Sequence, residues 1–474
     1  MTGAEQLAEF VIHSRYEDLS EAARRQLKIR VLDALGCAMG ALEAEPVRIL
    51  RSHLAEFDKH GPCNLIAGGH TSPFGAALYN GALVRYLDFN DSYLAKGETC
   101  HPSDNLAAIL AASEYSGASG SDFLTALAVA YQVQCRLSEV APVRAAGFDH
   151  TSQGTFAVAA GVSRALGLSH EETANSLAIS GTAFHGLRVT RTGKLSHWKG
   201  LAYPNMAASC TNATFLAMRG ITGPLEVMEG EKGFMDAIAG MFEIDWSRED
   251  LERVQSTSLK KYNAEIHSQS AIEATLALQA RYHVKAEQVE KIEVEIFDVA
   301  YHIIGGGDEG DKSFVSTKEQ ADHSLPYVIA VALLDGQVMP EQYTTERIRR
   351  QDVQALLHRV KVLPNEAFSE QFPQAMPCRV TFVLNDGRSF TAAMRDYPGF
   401  FTRPMSWDEV FMKFQRLAEP YTTASLRQSI AAAVEGLDTI PISELAHLLS
   451  ETGAVAMQNT TACPCGWTPF RYQN

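Results

Sequence analysis

The segment Asp88-Phe89-Asn90-Asp91-Ser92, with His101-Pro102-Ser103-Asp104-Asn105 after it, gathers carboxylates and a histidine around one loop between apolar stretches. Carboxylates and imidazoles are the groups that move protons in catalysis when they are held in place. Pro102 biases His101 away from helix, and Ser103 or Asp104 can cap the helix that follows. Capping alone would use the same residue types, but a loop carried by rigid helices is also where active-site walls are built. His150, in Gly147-Phe148-Asp149-His150-Thr151, again stands just before a helix, where it suits a cap or an acid/base role. Lys199, in Ser196-His197-Trp198-Lys199-Gly200, enters a helix of small residues. A loop lysine is ordinarily solvated, yet this placement suits a carboxylate clamp. Lys260, Lys261, Glu265 and His267 lie where two predicted domains meet, and clefts between domains favour ligands. The common theme is cations and acid/base groups without metal-ligand spacing.

The elements that must position them follow from apolar spacing. Leu27, Val31, Leu35, Ala38 and Leu42 keep to one face at helical spacing, and residues 105–112, 123–133, 155–166 and 201–218 repeat that character. Their many Ala and Gly residues let helices approach closely. Ser169 with Glu172 makes a capping box. After about residue 260 the pattern changes. Ile292, Val294 and Ile296 alternate with charged residues, as do Val380, Phe382 and Leu384 before an Asn385-Asp386-Gly387 turn, which predicts strands and a hairpin. Residues 327–334 are apolar almost throughout and predict a buried helix; 406–417 and 423–434 return to helical spacing. The expected class is mainly α. A large all-helical domain comprises 1–259 and the returning helices of 402–452, a smaller α+β domain is inserted at 260–401, and 453–474 is an aperiodic tail. Gly305-Gly306-Gly307 reads as a flexible loop, a poor phosphate cradle without a lysine.

Composition narrows the function. The 474 residues are 46% hydrophobic and 20% charged, enough for a large core, so disorder and coiled coil are excluded for the whole chain. Forty-one Lys+Arg against 56 Asp+Glu leave a formal charge of −15, which repels nucleic acids and anionic membranes and obliges any anionic ligand to find a local cationic pocket. No basic region precedes an apolar one at the N-terminus, and no apolar run is long enough to span a membrane. Eight scattered cysteines read as reduced thiols, Cys463-Pro-Cys465 being too few ligands for zinc, and the expected setting is cytoplasmic. No G-x-G-x-x-G after a strand, Walker loop, H-E-x-x-H or G-x-S-x-G occurs, which argues against nucleotide, zinc-protease and serine-hydrolase chemistry.

Five blocks in order, DFNDSYLAKGETCHPSDN (88–105), GFDHTSQGT (147–155), KLSHWKGLAYPN (194–205), KKYNAEIHSQSAIEA (260–274) and DHSLPYVIAVALLDG (322–336), resemble the MmgE/PrpD family, which includes 2-methylcitrate dehydratases and cis-aconitate decarboxylases. The resemblance implies a helical domain with a smaller α+β lid, a homodimer, and no metal or organic cofactor. It also implies site residues. Asp88 and His101 match the family's acidic residue and loop histidine, and Ser92 stands where threonine is common. His150 matches the second histidine, Lys199 the helix-entrance lysine and Tyr327 the tyrosine after the His-Ser pair. Glu265 and His267 look like the AE-x-H-x-Q form of the dehydratases, whereas ETCHPSDN departs from their usual EWGHPSDN.

Such a family implies a cofactor-independent hydro-lyase acting on 2-methylcitrate or a related hydroxy-tricarboxylate. Lys199, Lys260, Lys261, His267 and Arg188 or Arg191 would bind carboxylates. One of His101 and His150, oriented by Asp88, would be the base and the other the acid. The alternatives are cis-aconitate decarboxylation, isomerisation or epimerisation of a small dicarboxylate, a binding protein without catalysis, and a metal-dependent lyase in which His101, Asp104 and His150 converge.

Overall fold

The computed structural model describes residues 1–453, and the chain is mainly α-helical. The tail expected at 453–474, apart from its first residue, lies outside the described residues, and so do Cys463 and Cys465. The helices Glu21–Gly40, Leu106–Ser116, Gly120–Val140, Thr151–Leu166 and Trp198–Ala217 form where apolar spacing predicts them. The first is not one-faced as expected. Its residues 29–39 are buried on every side, because Pro73–Tyr86 and Trp407–Ala418 both pack against it. Small residues permit this closeness: a Cβ on Gly36 would stand 3.0 Å from the Phe414 backbone. Ser169 and Glu172 form the reciprocal cap expected, and Ser406 with Glu409 forms another ahead of Trp407–Ala418.

There are three sheets among the described residues. β1 (Cys63–Asn64) pairs with β2 (His70–Thr71), and β3 (Tyr93–Ala95) with β4 (Glu98–Cys100). β5 (Val289–Ile296), β6 (Val360–Pro364), β7 (Cys378–Leu384) and β8 (Ser389–Met394) form the third, in the order β6-β5-β7-β8. The alternating residues meet in register: Ile292 faces Phe382, Val294 faces Val380 and Ile296 faces Cys378, all buried. Helices Gln269–Tyr282 and Leu325–Asp335 cover the sheet. The short, half-buried β6 lacks alternation, and its parallel pairing with β5 has no counterpart in the apolar pattern.

Among the described residues two large apolar cores result, with a small cluster of Tyr93, Ala95, Cys100 and Cys135 beside them. The first draws on residues 4–259 and 405–449 together with Met339; the second draws on residues 262–400 and Leu94. The glycines at 305–307 are not all loop, since Tyr301–Gly305 is one π-helical turn that Gly306 ends at φ 103°.

Candidate active site

The helix Pro73–Tyr86 ends just before Asp88, which adopts a left-handed φ of 54°. Such a conformation costs a non-glycine residue on the order of 1 kcal/mol and persists where the surroundings over-determine it. Here they do. Asp88 Oδ1 accepts from Arg85 Nη1 at 2.6 Å and from Lys260 Nζ at 2.7 Å, and Lys199 Nζ lies 3.3 Å from Oδ2. Lys260 Nζ also donates to the Asp88 carbonyl at 2.7 Å. Burial by itself would raise the carboxyl, but Arg85, Lys260 and Lys199 hold it well below the usual carboxylate range. Asp88 is therefore a fixed anion. Arg85 reaches a second carboxylate, Asp104 Oδ2, at 3.3 Å.

Two histidines stand beside this pair, with ring centroids 5.4 Å apart and planes nearly perpendicular. His101 Nδ1 lies 2.8 Å from the Asp91 carbonyl and 3.0 Å from Ser92 Oγ. A carbonyl only accepts, so Nδ1 carries the proton and Nε2 keeps its lone pair. Asp91 is itself pinned by the Ser103 amide and hydroxyl and by Tyr131. Burial, followed by the charges of Arg85 and Lys260, pushes the His101 imidazole well below the usual histidine value, so it is neutral at pH 7. His150 is the reverse. Burial works against its cation, but Asp149, whose Oδ1 is 3.2 Å from Nδ1, and Asp104 beyond Nε2 outweigh it and raise the ring above the usual value. His150 Nε2 is buried with no hydrogen-bond partner. Its ring stacks on Tyr203, and a Cβ on Gly154 would lie 2.5 Å from that Tyr203 ring, so only glycine leaves room for the stack.

Both rings line one cleft. Five cationic side chains (Arg85, Arg144, Arg188, Arg191 and Lys260) face three carboxylates (Asp88, Glu265 and Glu309) across it. In a chain of net charge −15 this is the local reversal that an anionic ligand requires. His267 joins it from the turn Ile266–Ser268, with Nδ1 2.7 Å from Glu265 Oε1 and Nε2 buried without a partner. Burial would raise the Glu265 carboxyl, but His267 lowers it to about 2. A larger cleft, about 550 Å³, lies between the first helix and residues 245–251; its lining includes Glu9, Asp18, Asp245, Glu249 and Asp250, which makes it unsuited to an anion.

The model of the MmgE/PrpD N-terminal domain matches residues 5–247, and that of the MmgE/PrpD C-terminal domain matches residues 262–439. The chain belongs to the MmgE/PrpD family. It is 26% identical to the 2-methylcitrate dehydratase of Escherichia coli (strain K12), covering 81% of this chain and 83% of that one. It is also 26% identical to the cis-aconitate decarboxylase of Mus musculus, covering 91% and 90%. The mitochondrial 2-methylcitrate dehydratase of Yarrowia lipolytica is 24% identical over 91% of this chain and 87% of its own.

Of the residues that MmgE/PrpD resemblance and sequence position single out, the structure brings Asp88, His101, His150, Lys260, His267 and Arg191 to the cleft. Others go elsewhere. Ser92 is wholly buried and touches His101 from behind. Arg191, although it lines the cleft, has its donors engaged by both Asp149 oxygens and the Lys199 carbonyl, so it positions Asp149. Lys199 lies behind Asp88, 2.9 Å from Asp322 Oδ1 and 3.0 Å from His323 Nδ1. Asp88, Asp322 and His323 could otherwise converge on a metal ion, and the Lys199 ammonium is the cation among them. Two expectations are corrected. Lys261 pairs with Glu273 Oε2 at 2.8 Å, away from the cleft. Tyr327 is buried in the second core and donates to the Gln342 carbonyl, because the helix Leu325–Asp335 turns that side chain inward. Sequence reasoning missed Arg85, whose signal is its spacing three residues ahead of Asp88, and Arg144, which carries none.

Proposed function

We propose that this protein is a cofactor-independent hydro-lyase that dehydrates 2-methylcitrate or a closely related hydroxy-tricarboxylate. What supports the reading most is one observation: two imidazoles 5.4 Å apart in a cationic cleft, one pushed toward its neutral form and the other toward its cation. Pairs of titratable groups driven apart in this way assign base and acid. His101 Nε2 takes the proton from the carbon beside a carboxylate. Negative charge then grows on that carboxylate, where Lys260, which has one donor not engaged by Asp88, stabilises it. His150 Nε2–H protonates the hydroxyl as it leaves. Asp88 holds Lys260 and Arg85 in place; Asp149 and Asp104 favour the cation of His150. The reading includes residues 260–401 as a lid that closes over the helical body and excludes water, and a homodimer without metal or organic cofactor.

The second reading, cis-aconitate decarboxylation, is supported by the likeness to the mouse enzyme, which is as identical to this chain as the bacterial dehydratase is. A cationic His150 can deliver its proton to carbon as carbon dioxide departs. Product analysis by NMR and mass spectrometry separates the two. Chelator-treated protein is expected to release water from 2-methylcitrate; carbon dioxide from cis-aconitate with no water loss from any hydroxy-acid overturns the first reading in favour of the second.

A further inference from the structure

Most cations of the cleft already have a carboxylate. Asp88 engages Arg85 and Lys260, and Asp149 engages Arg191. Arg144 and Arg188 are less fully engaged, Arg188 Nη1 lying 3.7 Å from Asp149 Oδ1, beyond hydrogen-bond distance. The Nε of each is buried and has no hydrogen-bond partner. The nearest carboxylate oxygen to Arg144, Glu98 Oε1, is 3.9 Å from Nε, and Glu98 Oε2 is occupied by the backbone amides of Val143 and Arg144. Burial and then the repulsion of Arg188 lower the Arg144 guanidinium, as expected of two cations facing one space. Arg188 Nη2 is held by Glu309 Oε1 at 2.6 Å, and Arg188 is the sole side-chain partner of Glu309 among the described residues.

Glu309 comes from a segment tied mainly to itself. Gly307 N donates to the Tyr301 carbonyl, Glu309 N to that of His302 and Gly310 N to that of Gly307, while Gly306 and Gly310 have φ of 103° and 94°. Local bonds and two left-handed glycines leave it free to shift without breaking the second core. A carboxylate on one guanidinium, beside a second guanidinium with unused donors, is the contact a substrate carboxylate would make.

Resting on the reading that the cleft takes a tricarboxylate, we infer that Arg144 and Arg188 bind a substrate carboxylate that takes no part in bond breaking, and that Glu309 is its internal stand-in, displaced on binding. The stand-in selects for carboxylate number, because an acid lacking the extra group leaves Glu309 on Arg188.

Calorimetric titration of the full chain tests this with tricarballylate, which has no hydroxyl to lose, and with glutarate, which has one carboxylate fewer. Glu309→Gln is expected to bind tricarballylate about tenfold more tightly and glutarate within about twofold of wild type. Arg144→Gln and Arg188→Gln are expected to weaken tricarballylate by about tenfold, and Glu309→Gln is expected to add less than about twofold in the Arg188→Gln background, where the double variant also restores charge balance. Equal tightening for both acids, or tightening that survives Arg188→Gln, overturns the inference in favour of a general field effect; no change in any variant overturns it outright. The expected pattern without turnover of any acid defeats the hydro-lyase reading and leaves the inference standing. Turnover with KM unaffected by all three variants does the opposite, and a wild type that binds neither probe defeats both.

Discussion

His101 and His150 stand ahead of the helices Leu106–Ser116 and Thr151–Leu166; the two rings meet edge to face, and that of His150 stacks on Tyr203 of the first core. Glu265, His267 and Glu309 come instead from a single turn and a glycine-broken segment beside the second core. The groups proposed to move protons are thus held by helix packing, with hydrogen bonds that fix a tautomer. His267 and the proposed stand-in Glu309 hang on short local structure that can adjust. Proton transfer fails when a donor is misplaced by about 1 Å, whereas a charge–charge contact falls off more gently with distance.

Removing either ring is the harshest test of that contrast. His101→Ala and His150→Ala are each expected to lower kcat by about 10²- to 10⁴-fold, measured by product formation; a fall smaller than tenfold in either would remove that ring from the chemistry. Breaking the scaffold behind them is next. Lys413 Nζ lies 2.8 Å from Asp33 Oδ1 and donates to the carbonyls of Phe89 and Lys260, so it ties a C-terminal helix to the loop that carries Asp88. Lys413→Met leaves Asp33 buried and unpaired and is expected to cost about 3–5 kcal/mol, read from a denaturant midpoint.

The pH profile sharpens the comparison within the histidine pair. A base must be deprotonated, and His101 is held well below the usual value, so kcat/KM should rise through a limb below pH 6.5. An acid must be protonated, and His150 is raised, so kcat/KM should fall through a limb above 6.5. Replacing His150 should remove the alkaline limb and leave the acidic one; the opposite loss would reverse the assignment. On the other side of the cleft, His267→Gln should raise KM by about tenfold and change kcat by less than about threefold, as expected when an interaction common to ground and transition states is lost. Smallest of all, Tyr327→Phe and Lys261→Ala should leave both constants within about twofold, since neither side chain reaches the cleft; a large drop in kcat for Tyr327→Phe would return it to the mechanism.

Much of this was legible beforehand where the physics is local. The helix from 21 to 40, the reciprocal cap at Ser169 and the alternation in β5 and β7 each follow from neighbours a few residues apart. The parallel pairing of β6 did not follow, because five half-buried residues without alternation look like any loop. Tyr327 shows the converse. Its motif is present, but a hydroxyl on a buried helix is satisfied by whichever carbonyl packs nearby, here that of Gln342.

The sequence by itself determined the helical character, the strands whose faces alternate, the family and the short stretches that hold Asp88, His101, His150 and His267. Tertiary structure decided what those residues are. Lys260 reaches Asp88 across 172 positions, and Lys199 reaches Asp322 across 123. Only such approaches separate a neutral imidazole from a charged one, or an arginine already paired from one still open. Charge interactions and desolvation depend on distance through space and on burial, and neither is written in the order of residues along the chain.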